Sequence, residues 1–342
     1  ARCAYCYLPE QVKSRGRSMS PAELDVLMQK ALAYYGAKGV KGSIIFHGAE
    51  PLLMKHALFE IIRKYRGQVH FGIQTNGTLL SREDAAFLRE NLVNVGVSLD
   101  SPFEGTNDAL RGEGHFRKVD RVLDWLGGYK GLNVVTTITC KNVRDLAAMV
   151  RYLHGKGVGL CLMNPVRGTQ EAARELSPDC RTLSAEFIAA VEEAIRLTKE
   201  GQRIVIGDFA NVLLGIVAPA ARMMMCDVSP CGGGRRFFSV TADGNTWPCG
   251  EFIGMETYRA GNILRDTMDD IVGSKTFDSV RHRTVEDIPE CRDCVLRQGV
   301  KQRAEVDRRS PCNGSAIPER KKRPCHKPDG DQDACGESVV PN

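Results

Sequence analysis

The sequence predicts an α/β fold built on a parallel sheet, and three observations carry that prediction. Five short apolar segments in the first 200 residues each run into a polar cluster. Segments with helical apolar spacing and capping signals separate them. A stretch of different character follows, holding eight of the thirteen cysteines after Asp208. Regular alternation of strand and helix is the pattern of parallel strands joined by crossovers, and in such folds chemistry gathers at the carboxyl ends of the strands.

The elements follow in order. Ser20-Pro21-Ala22-Glu23 has the capping-box order with Pro at the first helical position, which predicts a helix over 22–35. Residues 43–47 (Ser-Ile-Ile-Phe-His) read as a buried strand entering the turn Gly48-Ala49-Glu50-Pro51; Gly and Pro also punctuate ordinary strand-to-helix turns. A helix over 57–65 leads to a strand over 69–75 that ends in Gln74-Thr75-Asn76-Gly77. Ser81-Arg82-Glu83-Asp84 is a weaker capping box for a helix over 84–92, and the strand over 93–99 ends in Ser98-Leu99-Asp100-Ser101. Helices over 116–126, 143–153 and 185–199, with strands over 133–139 and 159–163, complete the series. Strand ends therefore hold Glu50, Gln74, Asn76, Ser98, Asp100 and Asn164.

Composition bounds the function. A chain of 342 residues would ordinarily hold two domains, and 42% hydrophobic content suffices for globular cores. No apolar run is long enough to span a bilayer and no signal-peptide pattern opens the chain, so the expectation is a soluble, cytoplasmic protein without a membrane partner. The formal charge of +5 is modest, and aromatics at 6% offer little to stack on bases. The basic run Arg320-Lys321-Lys322-Arg323 reads as a solvated surface rather than a nucleic-acid site.

Disulfide scaffolds are small and lack large parallel cores, so the cysteines call for another explanation. Cys140, Cys161 and Cys180 are scattered and read as buried small hydrophobes or incidental thiols. Cys3-Ala4-Tyr5-Cys6 and Cys291-Arg292-Asp293-Cys294 are Cys-x-x-Cys pairs, which zinc, a dithiol redox pair or an iron–sulfur cluster would each explain. Between Cys231 and Cys249, residues 237–241 and 245–248 alternate like a hairpin about Ala242-Asp243-Gly244.

Cys3-Ala4-Tyr5-Cys6-Tyr7 resembles the tail of the Cys-x-x-x-Cys-x-x-Cys loop with which radical S-adenosylmethionine (radical SAM) enzymes hold a [4Fe–4S] cluster. Gly48-Ala49-Glu50-Pro51 resembles that family's Gly-Gly-Glu-Pro element, with Ala in the second position. The resemblance implies a partial (β/α)6 barrel over 1–200, N-terminally incomplete, with the first strand and the first cluster cysteine preceding Cys3 outside this chain. The catalytic cluster would take thiolates from Cys3 and Cys6 and leave one iron for the cofactor. In the family the turn backbone at Gly48 and Ala49 and the Glu50 carboxylate bind the methionine ammonium. Ser98 and Arg111 are candidates for its carboxylate, with a helix-surface cation as the alternative for Arg111. Gln74, Asn76 and Asp100 belong to the ribose and carboxylate side, and Tyr5 lies against the adenine. No catalytic base is assigned.

Cys231, Gly244 and Cys249, with Thr246-Trp247-Pro248 and Gly261-Asn262-Ile263, resemble the SPASM domain that carries auxiliary clusters in this family. That implies a small Cys-rich α+β domain over 226–342, joined to the barrel by a bridging segment over 201–225. By family order Cys226, Cys231, Cys249 and Cys325 would hold one auxiliary [4Fe–4S] cluster, and Cys291, Cys294, Cys312 and Cys335 the other, three clusters in all. Cys312 departs from the family's spacing and reads as a shifted ligand. A pair of zinc knuckles is the structural alternative.

What the resemblance implies is reductive cleavage of S-adenosylmethionine and hydrogen abstraction from a precursor peptide or protein, fed by a reducing donor such as a flavodoxin or ferredoxin. Phe46-His47-Gly48 with Glu50-Pro51-Leu52-Leu53 looks more like the peptide maturases, which install thioether or C–C crosslinks in ribosomally made peptides, than like sulfatase activators. Formylglycine formation in a sulfatase is the second reading. A non-catalytic zinc or peptide-binding scaffold is the third.

Overall fold

The computed structural model describes residues 3–6, 8, 16–167, 171–218, 229–287 and 289. Tyr7, Cys226, Cys291, Cys294, Cys312, Cys325, Cys335 and the basic run 320–323 lie outside the described residues. The chain enters through helix α1 (Pro21–Ala37), whose capping box forms: Glu23 N–H donates to Ser20 Oγ and Ser20 N–H to the Glu23 carboxylate at 2.8 Å. Strand β1 (Ser43–Phe46), helix α2 (Lys55–Lys64), β2 (His70–Thr75), α3 (Arg82–Glu90) and β3 (Asn94–Ser98) follow. Then come α4 (Glu104–Arg111), α5 (His115–Leu126), β4 (Leu132–Ile138), α6 (Leu146–Gly155), β5 (Leu160–Pro165), α7 (Glu171–Glu175) and α8 (Cys180–Glu200). The segment expected only to bridge supplies a sixth strand, β6 (Val205–Ile206), and helix α9 (Gly207–Val217).

All six strands run parallel in the order β1-β2-β3-β4-β5-β6. Sequential order with right-handed crossovers sends every helix to one face of the sheet. Burial agrees: Phe71, Ile73, Val95, Val97, Val134 and Cys161 on that face are at most 4% exposed. Gln74, Ser98, Asn133, Thr137, Leu162 and Asn164 alternate onto the other face and are half-buried. The helix-free face is thus the polar one. Gly96 lies in its middle, level with Gln74 and Asn133 on the neighbouring strands. A Cβ there would stand 2.0 Å from Gln74 Oε1, so only glycine lets that amide lie across the sheet.

Among the described residues β1 pairs with β2 alone, and Ile45 is 63% exposed. Cys161 is buried as a small hydrophobe, and Cys140 and Cys180 are exposed, as incidental thiols would be.

The small C-terminal unit is built on the antiparallel strands β7 (Ser239–Val240), β8 (Asn245–Trp247) and β9 (Gly261–Asn262). The expected hairpin forms, and Gly244 takes the positive φ of +85° its turn requires. Helices α10 (Met268–Val272) and α11 (Lys275–Arg281) pack over it through Ile263, Ile271 and Phe277. Leu27 and Tyr34 of α1 join that core. Lys30 Nζ donates to the carbonyls of Ile263 at 2.7 Å and Asp266 at 2.8 Å, fastening α1 to the turn after β9.

Candidate active site

Three clusters meet at the carboxyl ends of β1 to β4. The first is the turn after β1. Gly48 and Ala49 take φ of +89° and +43°, a pair of left-handed residues that reverses the chain before Pro51. Glu50 caps the following turn with Oε1, which accepts from Leu52 N–H at 3.0 Å and from Thr75 Oγ1 at 2.7 Å. Its Oε2 accepts from Asn76 N–H at 2.9 Å. Three donors of the chain therefore occupy three of a carboxylate's roughly four acceptor sites, leaving one. Asn76 Oδ1 in turn receives Thr78 N–H at 2.8 Å, which orders the turn after β2.

The second cluster joins the Cys3–Cys6 loop to the end of β3. Arg111 is buried, not a surface cation: its Nη2 donates to Asp100 Oδ1 at 2.8 Å and its Nε faces Oδ2 at 2.7 Å. Tyr5 OH donates to Oδ2 at 2.6 Å and Thr137 N–H to Oδ1 at 2.9 Å. Three hydrogen bonds and the close ion-pair contact of Nε thus hold the Asp100 carboxylate among the chain's own groups. Arg111 Nη1 reaches Cys3 Sγ at 3.8 Å, and its guanidinium lies 5.6 Å from the Tyr5 ring centre. Ala4 N–H donates to Leu110 O at 2.9 Å, tying the loop to the last turn of α4. Burial pushes the Cys3 thiol up, and Arg111 opposes that shift. Burial, and then Asp100, push the Tyr5 phenol well up, so it remains a donor.

The third cluster escaped sequence reasoning. Asn107 Oδ1 accepts from Asp100 N–H at 3.1 Å, and Asn107 Nδ2 lies 3.0 Å from His115 Nδ1. Because that amide nitrogen can only donate, Nδ1 must accept and the imidazole is neutral. Its Nε2 is buried without a hydrogen bond. Burial, then Arg111, pull the pKa of His115 down to about 4. A histidine with a depressed folded pKa binds fewer protons than the unfolded chain between that value and about 6.5. Stability therefore falls as pH drops through this window, by up to about 3 kcal/mol before the loss levels off below pH 4. His115→Gln, which keeps an acceptor and cannot titrate, should flatten the decline; thermal melts between pH 4 and 7 that remain parallel would refute the assignment.

Gln74, Ser98 and Asn164 stand on the open face beside these clusters, where Asn133 and Thr137, absent from the expected set, also lie. Only the residue-level register reveals the latter two, since both sit inside ordinary β-type sequence. In the small unit Cys231 and Cys249 are half-buried cysteines. They flank Gly233, whose N–H donates to Cys231 Sγ at 3.3 Å. A backbone donor on sulfur suits a thiolate, and the Cys3–Arg111 contact does the same at the barrel. Both donor sets fit iron–sulfur ligation. Glu251, two residues past Cys249, pairs with Arg167 at 3.1 Å just beyond the end of β5, so the Cys249 region sits at the same end of the sheet as the other clusters.

Comparison with known proteins agrees. The radical SAM superfamily matches residues 1–153, and the iron–sulfur cluster-binding SPASM domain matches residues 231–295. An uncharacterized protein of Archaeoglobus fulgidus is 48% identical over 86% of this chain and 69% of its own length. A cysteine-type anaerobic sulfatase-maturating enzyme of Clostridium perfringens is 24% identical over 86% of this chain and 82% of its own. The mycofactocin maturase MftC of Mycolicibacterium smegmatis is 28% identical over 64% of this chain and 54% of its own. Among solved structures, anSMEcpe with bound AdoMet superposes with a TM-score of 0.71 at 23% identity, covering 88% of this chain and 84% of that one. Streptococcus suis SuiB bound to S-adenosylmethionine gives 0.64 at 13% identity, covering 87% and 68%. The chain therefore belongs to the radical SAM superfamily, carries a SPASM domain after its barrel, and uses S-adenosylmethionine and [4Fe–4S] clusters as cofactors.

Proposed function

We propose that this enzyme is a peptide maturase that oxidatively modifies a ribosomally made peptide, by thioether or C–C crosslinking. The observation that carries the reading is the placement of the Cys249 hairpin at the strand ends through Arg167 and Glu251, where an auxiliary cluster would face the reacting substrate. Relatives of this architecture support it: MftC is a maturase, and SuiB has been solved with its precursor peptide SuiA.

Bound at its cluster, S-adenosylmethionine would supply radical chemistry for hydrogen abstraction from the substrate. The chain's own groups orient and shield. Glu50, with one acceptor site remaining, binds the methionine ammonium against the Gly48–Ala49 turn. Ser98 takes the carboxylate, with Arg111 beside it. Gln74 and Asn76 serve the ribose, and Tyr5 borders the adenine. Cys3 and Cys6 ligate the catalytic cluster. Cys226, Cys231, Cys249 and Cys325 hold the first auxiliary cluster, and Cys291, Cys294, Cys312 and Cys335 the second. A low-potential protein of the flavodoxin or ferredoxin class delivers the electron.

Formylglycine formation is the second reading, favoured by the sulfatase-maturating relative's coverage of 82% of its own length against 54% for MftC. Mass spectrometry decides between them. Co-expression with peptides encoded beside this gene should yield a peptide short of two hydrogens at a new crosslink, whereas an aldehyde at a sulfatase Cys or Ser would establish the alternative. Metal content tests the cluster count independently. Anaerobically prepared full-length protein should bind about twelve iron atoms as three four-iron clusters. Stoichiometric zinc with little sulfide would sink the assignment of the carboxyl-terminal cysteines.

A further inference from the structure

We propose that the buried Asp100–Arg111 pair sets the reduction potential of the catalytic cluster through Cys3: Arg111 donates to the thiolate, and Asp100 limits how much of the guanidinium's field the cluster feels. The inference rests on the reading of Cys3 and Cys6 as cluster ligands. Its basis is geometric. Arg111 Nη1 stands 3.8 Å from Cys3 Sγ, while Nη2 and Nε grip the two oxygens of Asp100. The side chains are only 6% and 0% exposed, so water screens neither charge. Reduction adds an electron to the cluster. A cation and a hydrogen bond at a ligating sulfur stabilise the reduced state and raise the potential, and a nearby carboxylate lowers it.

The pair is also fixed in place. Asp100 is held by Tyr5 OH and Thr137 N–H at its carboxylate, by Asn107 Oδ1 at its N–H, and by Asn142 Nδ2 at its carbonyl, 2.7 Å away. The cluster loop is tied to the same helix end by Ala4 N–H and Leu110 O. Loop, guanidinium and carboxylate therefore form one unit, and the charge seen by Cys3 does not depend on a mobile side chain.

The test is an EPR-monitored reductive titration of anaerobically reconstituted full-length protein. The signal followed is the one that changes when S-adenosylmethionine is added, which marks the catalytic cluster. Arg111→Gln should lower the midpoint, and Asp100→Asn should raise it. Each shift should reach at least tenfold in the oxidised-to-reduced ratio at a fixed ambient potential, or 59 mV for a one-electron couple. Loss of structure would not move two variants in opposite directions. The double variant leaves no buried charge and should fall between the singles; if circular dichroism shows either single unfolded, the double and the remaining single carry the test. Unchanged midpoints, or shifts of the same sign, in protein that retains the S-adenosylmethionine-responsive signal would overturn the proposal. Absence of that signal from the wild type would instead overturn the ligand assignment beneath it.

Discussion

Glu50→Gln is expected to weaken S-adenosylmethionine binding by roughly one to two orders of magnitude, the equivalent of a charge-assisted hydrogen bond of about 1.5–3 kcal/mol. Formation of 5′-deoxyadenosine should fall with it. The structure adds a second effect. Leu52 N–H, Thr75 Oγ1 and Asn76 N–H all donate to this carboxylate, and an amide has only one oxygen to serve them. At least one buried donor loses its acceptor, which costs about 1–3 kcal/mol of stability. The two effects separate with Thr75→Val, which removes one donor to Glu50 and leaves its charge. That variant should melt lower yet bind the cofactor nearly as well as the wild type. Equilibrium dialysis paired with thermal melts checks both, and wild-type affinity in Glu50→Gln would remove the turn from the cofactor site.

The second large effect is expected at the auxiliary clusters. Cys291→Ala/Cys294→Ala should leave Cys3, Cys6 and the barrel intact, because these thiols fall in a separate part of the chain. With dithionite as reductant the variant should still form 5′-deoxyadenosine while yielding little or no modified peptide. Loss of a metal site can unfold a small domain, so circular dichroism and the catalytic cluster's EPR signal must first match the wild type. Full peptide modification by such a variant would show that the cluster is dispensable to the substrate half of the reaction.

The strand ends were legible because each combines a β-branched run with a polar stop, a local signal that needs no partner. Both capping boxes were legible for the same reason: Ser20 with Glu23 and Ser81 with Asp84 act within one turn of chain. What escaped was set by partners distant in sequence. β6 is two residues long and carries no period to detect, and α9 lacks a capping side chain. Arg111 reads equally as a cofactor-carboxylate ligand and as a helix-surface cation until Asp100, eleven residues earlier and across the β3–α4 turn, is seen to face it. His115 and Asn107 are ordinary helix residues in the sequence. Only their meeting behind Asp100 makes them part of the site.

Lys30 carries a consequence for the order in which the molecule assembles. Its ammonium belongs to the first described helix, while the carbonyls it binds lie 233 and 236 residues further along the chain. Closing so long a loop is entropically unfavourable and slow relative to the local pairings of the sheet. During synthesis Tyr34 of α1 must therefore wait for the hairpin that covers it, whereas Leu27 also packs on the barrel core. Barrel and auxiliary module then complete one another as a single cooperative unit. Failure to ligate metal near Cys231 and Cys249 would be felt in the packing of a helix at the opposite end of the sequence.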